Sequence, residues 1–185
     1  MYLTDWFEDT IEYKGTSYHL DLDYHVVLTV LELVEDVDLS ESQRVYTALE
    51  MLLNVDVLDV DYYEAVELLA MVMDGYISEQ KEVEPELDIM GNPMKTHKPK
   101  ASYDFVHDGR YIDASFMQAY GINLFEKRGE LHWRRFLALF EGLPNDTTMM
   151  QVINIRQMPI PEGDPERAQS IAKLKHIYKL PERGE

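Results

Sequence analysis

Residues 40–75 read SESQRVYTALEMLLNVDVLDVDYYEAVELLAMVMDG, and their apolar spacing decides the fold class. Ser40 is suited to cap a helix in which Val45, Leu49 and Leu52 form one stripe. A second helix follows Asp59 or Asp61, with Tyr62, Val66, Leu69 and Met73 on one face and Gly75 placed to end it. Upstream, Val26, Val30 and Val34 recur at i, i+4 and i+8, so another helix precedes these two, capped by Asp21 or Asp23. Before it, IEYKGTSYHL (Ile11 to Leu20) alternates around Lys14-Gly15, which predicts a short β-hairpin. A lone hairpin is marginal in water, so this one must pack on the helices after it.

Downstream the pattern breaks. Between Ser78 and Ser102 no helical stripe survives, and Pro85, Gly91, Pro93 and Pro99 punctuate a run of mixed charge. That composition predicts a flexible linker or long loop. Helical spacing resumes at about Asp104 to Tyr120, where Phe105, Ile112 and Phe116 share a face and Gly121 is a C-cap. Gly109 then falls inside the helix, at some cost to it. Glu130 to Glu141 is apolar on nearly every side except at Arg134, Arg135 and Glu141, and is expected at the centre of a second core. Asn145 is placed to cap a short helix with Met149, Val152 and Ile153 inward. Asp164 and Pro165 open a last one through Ile171, Leu174 and Tyr178. The expected fold is mainly α, in three parts. Residues 1–77 form a small N-terminal β-hairpin with an acidic three-helix unit, residues 78–102 the linker, and residues 103–185 an aromatic-rich second helical unit of about four helices.

Charge separates these parts. The 185 residues carry 17 basic and 35 acidic side chains, net −18. Residues 1–90 hold 23 of the acidic and 3 of the basic ones, so the excess lies entirely in the first half. Such a surface repels phosphate backbones, which argues against nucleic acid as a partner. It equally serves solubility. There is no cysteine, which excludes disulfides and thiol chemistry. The first ten residues lack a signal-peptide pattern, and no apolar run approaches a membrane span.

Chemistry is hard to find. The histidines His19, His25, His97, His107, His132 and His176 show no H-E-x-x-H or comparable metal spacing. His19 and His25 flank Asp21 and Asp23, but solvated residues at a helix start explain them better than a metal. Asp104 and Asp108, one turn apart, would be paired carboxylates, yet a polar helix face accounts for them too. No nucleophile elbow, Walker A or dinucleotide fingerprint occurs, and Gly91-Asn92-Pro93 is a turn, so no catalytic, cofactor or metal residue is assigned. Of the ten methionines, most, such as Met51 and Met73, fall on core stripes. About a third of the twelve tyrosines are expected at partner contacts.

The candidate partner contacts are Tyr120, Trp133, Arg134 and Arg135. Trp133 goes to the core if its face of the helix is covered and to the partner surface if it is open. Arg134 and Arg135 lie about 100° apart on a helix, so they cannot both enter one core. Either they pair internally with carboxylates such as Asp108 or Asp113, or at least one frames a groove beside Tyr120.

The stretch Tyr103 to Pro159 carries a pattern of its own: Tyr103-Asp104-Phe105, Asp108, Tyr111-Ile112, Phe116, Gln118, Tyr120-Gly121-Ile122 and Leu124. It continues through Leu131-His132-Trp133, Phe136, Ala138-Leu139, Gly142-Leu143-Pro144, Asp146-Thr147 and Ile155-Arg156. This resembles the bacteriophage gene-product-15 family of long-tailed phages and prophages of Gram-positive hosts, departing from it at Asn123 and Arg134. The resemblance implies a tail assembly chaperone, a non-enzymatic protein without cofactor. It would coat the tape measure protein and help recruit the major tail tube protein, with further copies of the chain as a third candidate partner. It would act in the host bacterial cytoplasm during assembly and be absent from the mature virion. Its main rival is a structural tail or connector protein retained in the virion. An acidic DNA mimic would need carboxylates spaced like phosphates on one face, whereas here they are scattered over several helices.

Overall fold

The computed structural model describes residues 7, 9–55, 57, 59–78 and 102–181. The chain forms two compact units, one of Met1–Lys81 with Arg128–Leu137, the other of Glu82–Lys127 with Ala138–Glu185. The expected linker, residues 78–102, lies outside the described residues except at its two ends. Mainly helical structure with a single small hairpin is what the described residues show.

In the first unit, β1 (Thr10–Tyr13) and β2 (Thr16–His19) pair antiparallel, with Ile11 opposite Tyr18. Lys14 and Gly15 both take positive φ, the backbone that a two-residue hairpin turn with matching twist requires. The alternation buries Ile11 and Tyr13. The hairpin is clamped to the third helix by Tyr13 Oη donating to Glu67 Oε2 (2.7 Å) and by Lys14 Nζ against Glu64 (2.6 Å). The bond to Glu67, with some burial, pushes the Tyr13 hydroxyl pKa up, and the bond to Glu64 raises that of Lys14.

Three helices follow: α1 (Tyr24–Glu35), α2 (Glu41–Leu53) and α3 (Tyr62–Val72), with α1 packed on α2 and α2 on α3. Asp23 caps α1 by accepting the His25 N–H. Ser40 and Gln43 form a capping box on α2, and Asp61 caps α3. The α2 stripe is as expected, with Val45, Leu49 and Leu52 buried. That of α3 is turned by about one residue, or 100°: Ala65, Leu68, Leu69 and Val72 are buried and Val66 is exposed. The small Ala65 is fully buried there, while the bulkier Tyr62 is half-buried. Met51 and Met73 are half-buried rather than core, and so is Val34 on α1. Gly75 does not end α3. The chain continues through it as a π-helical turn, Met73–Ile77, closed by Ser78 N–H on Met73 O (2.7 Å).

The second unit holds α4 (Gly109–Tyr120), a 3-10 turn (Leu124–Lys127), α6 (Thr148–Gln157) and α7 (Pro165–Ile177). Helix α5 (Trp133–Glu141) crosses the division between the units. Helix α4 packs on α6, and α6 on α7. Helix α4 starts five residues later than its apolar spacing suggested. The Asp104 carboxylate accepts the N–H groups of Val106 and His107 and holds residues 104–107 in a turn, so Gly109 opens the helix instead of interrupting it. Gly121 ends α4 in the left-handed region, as expected. Thr147, rather than Asn145, occupies the N-cap position of α6, and its hydroxyl turns back to Pro144 O instead of capping the helix. Asp164 caps α7 with Pro165 in its first turn. Of the α7 stripe only Ile171 is buried.

The largest departure is α5. Its first turn was expected in a second core, yet Trp133 and Phe136 belong to the first unit. The segment before it pairs with the start of α1: Tyr24 N–H donates to Leu131 O (2.9 Å) and Trp133 N–H to Leu22 O (2.7 Å), with Asp23 and His132 bridged antiparallel. This lays Phe136 between Tyr24 (centroids 5.1 Å) and Trp133 (5.6 Å). Trp133 is 3% exposed, and its indole N–H donates to Ile77 O (3.0 Å). Trp133→Ala should therefore destabilise the first unit by about 3–5 kcal/mol. Chemical denaturation followed by circular dichroism checks this, and an unchanged midpoint would place the indole at the surface.

Candidate functional site

The first unit contains an open cavity of about 470 Å³ lined by Asp9, His19, Leu20, Asp21, Leu22, Asp23, Leu53, Asn54, Gly129, Glu130 and His132. Leu20, Leu22 and Leu53 are buried, so they supply an apolar floor. The carboxylates of Asp9, Asp21, Asp23 and Glu130, two imidazoles, Asn54 and Gly129 make up the rest. Backbone pairing builds this place. Leu20 N–H donates to Asp9 O and Asp21 N–H to Leu52 O, both at 2.7 Å, so the strand-to-helix junction is fastened on two sides.

The imidazole of His132 stacks flat on Phe7, with centroids 4.0 Å apart, and its Nε2 meets Asp9 Oδ1 at 3.0 Å. Asp23 is engaged on both oxygens: Oδ2 accepts Leu131 N–H (3.1 Å), and Oδ1 accepts His25 N–H and contacts the His25 ring. The cluster of His19, Asp21, Asp23 and His25 seen in the sequence is thus split. His19, Asp21 and Asp23 line the cavity, while His25 turns to Asp23. Among the described residues no group of three or more His, Cys, Asp or Glu is arranged to hold a metal ion. Asp9, Glu130 and His132 come to this site from distant parts of the chain. The Leu131-His132-Trp133 motif marked His132 without indicating its role, and nothing local marked Asp9.

Arg134 and Arg135 are exposed on the first turn of α5, and Arg134 Nη2 reaches Gly75 O at 3.4 Å. Trp133 beside them is core. Tyr120 belongs to the other unit, where it is half-buried. Its hydroxyl donates to Leu139 O (2.9 Å), and its ring meets Phe116 edge-on. A Cβ on Gly142 would stand 3.3 Å from that hydroxyl, so glycine there leaves room for the bond.

The acidic partners considered for the arginines are occupied elsewhere. Asp113 Oδ1 accepts Leu124 N–H (3.1 Å). Asp108 is 1% exposed and receives Arg156 in a bidentate pair, Nη1 to Oδ2 at 2.6 Å and Nη2 to Oδ1 at 2.7 Å. Arg156 also donates from Nε to Tyr178 O (2.6 Å) and from Nη1 to Ser102 O (3.0 Å). One guanidinium thus joins the start of α4, α6, the end of α7 and residue 102. Asp104, the other half of the considered carboxylate pair, caps its own turn and meets His107 Nδ1 at 3.1 Å. Burial pushes its carboxyl pKa up, but the hydrogen bonds from the His107 N–H and ring and from the Val106 N–H outweigh this and hold it below the usual value. Both carboxylates are committed to local structure.

A family model described as Bacteriophage Gp15 protein matches residues 3–180. No curated protein and no solved structure matches the chain.

Two outcomes are expected from these contacts. Asp108→Ala leaves the half-buried Arg156 with its main partner gone and should cost about 3 kcal/mol, whereas replacing both by apolar residues (Asp108→Leu/Arg156→Met) should cost much less. A denaturant series compares the two, and equal losses would mean that the pair is not the source of the penalty. Asp104 has a lowered folded pKa, so its ionised form adds stability that is present above an unfolded value of about 3.9 and is lost as pH falls through the folded value. The gap in melting temperature between the parent and Asp104→Asn should be widest near neutrality and shrink on acidification. A constant gap across the titration would remove the ionised carboxylate as its cause.

Proposed function

The chain belongs to the Bacteriophage Gp15 protein family, and from that membership we propose that it is a tail assembly chaperone that binds the tape measure protein. Family membership makes it a phage structural or assembly-related protein. The chaperone reading goes further, and the cavity of the acidic unit supports it. An apolar floor with a rim of carboxylates suits a side chain that buries an aliphatic stem and keeps a cationic head in contact with negative charge, as lysine and arginine do. A partner segment carrying basic and apolar residues together would seat there. The surrounding acidic surface would keep the complex soluble while the client is unassembled. In this reading the protein acts by binding in the host cytoplasm, without catalysis or cofactor. It leaves before the virion is complete and presents the client to the major tail tube protein. Arg134 and Arg135, exposed on α5 of the same unit, would meet a different, non-basic part of the client.

Co-expression with the tape measure protein of the same phage should yield a soluble complex. An Asp21→Lys/Glu130→Lys variant should stay folded by circular dichroism and lose that complex, because the cavity rim then repels a basic side chain. If the folded variant solubilises the client as well as the parent, the cavity is not the binding surface. Mass spectrometry of purified virions decides between this reading and a retained connector: stoichiometric copies in the particle would favour the connector.

A further inference from the structure

The hairpin covers one edge of α3 through Tyr13 on Glu67 and Lys14 on Glu64, and the side next to that edge is uncovered. Tyr63 is 81% exposed, and Val66 and Ala70 are exposed on the same side. Lys14 neutralises Glu64, but Glu67 adds negative charge and the helix has no basic residue, with Asp61 before it and the exposed Asp74 just after it. The result is an apolar strip with negative borders. In the second unit α7 has the complementary composition. It buries only Ile171, exposes Leu174 and Ile177 (68%), and carries Arg167, Lys173 and Lys175 against Glu166 as its one carboxylate. Neither strip is accounted for by the packing of its own unit.

We propose that α7 of one copy of this protein docks on α3 of another. The charges are opposite across such a contact, while α3 on α3 or α7 on α7 would oppose like charges. The strips also match in length, since 11 and 13 helical residues span roughly 16 and 20 Å. Both are present on every chain in equal amount, so no second protein is required. Because the two patches differ, the contact is heterologous: each copy offers one donor and one acceptor face, and association continues into a ring or a filament. This inference stands apart from the client-binding cavity, whose residues it does not use. A helix-on-helix contact is small, so association appears at high protein concentration.

Sedimentation velocity of the full chain tests it. The mean mass should rise with concentration and fall with added salt. Tyr63→Ser/Val66→Ser blocks the α3 strip, and Leu174→Ser/Ile177→Ser blocks the α7 strip. Each alone should need about tenfold more protein to associate. Mixed in equal amounts, the two variants each keep one intact strip and should form a pair that stops at two copies. If either variant unfolds, the single charge reversals Asp74→Lys and Lys173→Glu, both at exposed positions, take their place and should weaken association in the same way. A parent that stays monomeric at every concentration overturns the proposal. So does a blocked variant that associates like the parent, or a mixture that fails to pair.

Discussion

The first unit depends on a backbone junction between residues 22–24 and 131–133, more than a hundred residues apart in sequence. Two N–H groups and two carbonyls are satisfied across it, with the Asp23 carboxylate adding a third bond to Leu131. Such pairing is what a buried polar backbone demands. It also sets the position of Trp133 and Phe136, whose rings fill the space against Tyr24 and the π-helical turn. The cavity has the same origin. Its floor comes from the strand-to-helix junction and its far wall from residues 129–132, so it exists only while the junction is closed.

The second unit is organised by a charge pair. Burying a carboxylate and a guanidinium is costly unless nearly every hydrogen-bonding position is filled. Arg156 fills them with Asp108, Ser102 O and Tyr178 O. That arrangement ties together elements with few apolar contacts of their own, notably α7. Asp108 and Arg156 are both residues of the pattern that resembles the phage family. So are Leu131, His132, Trp133 and Phe136, and in this structure they act mainly in holding the fold. A family signature made of folding residues identifies the architecture well and says less about the surface that meets a partner.

How much could be read without the fold varies along the chain for local reasons. The hairpin, the caps of α1, α2, α3 and α7, and the α2 stripe were legible, because each follows from residues within one or two turns of each other. Helix α4 was placed too early, because the side-chain-to-backbone bonds of Asp104 compete with helix formation and leave no mark on apolar spacing. The α3 stripe differs because burial there does not follow bulk: the small Ala65 is fully buried and the larger Val66 is exposed.

By itself, the sequence determined the helical class, the hairpin, the concentration of negative charge in the first half, and membership of a phage family over almost the whole chain. These depend on composition, on periodicity, and on motifs contiguous in the chain. Only the tertiary structure decided that residues 128–137 belong with the first unit, that Arg156 rather than Arg134 or Arg135 neutralises Asp108, and that Asp9, Glu130 and His132 share a cavity with Asp21 and Asp23. The reason is physical. Backbone pairing and ion pairing act between groups brought together by the chain path, and hydrophobic periodicity, which reports the burial of each element separately, carries no information about which distant element does the burying.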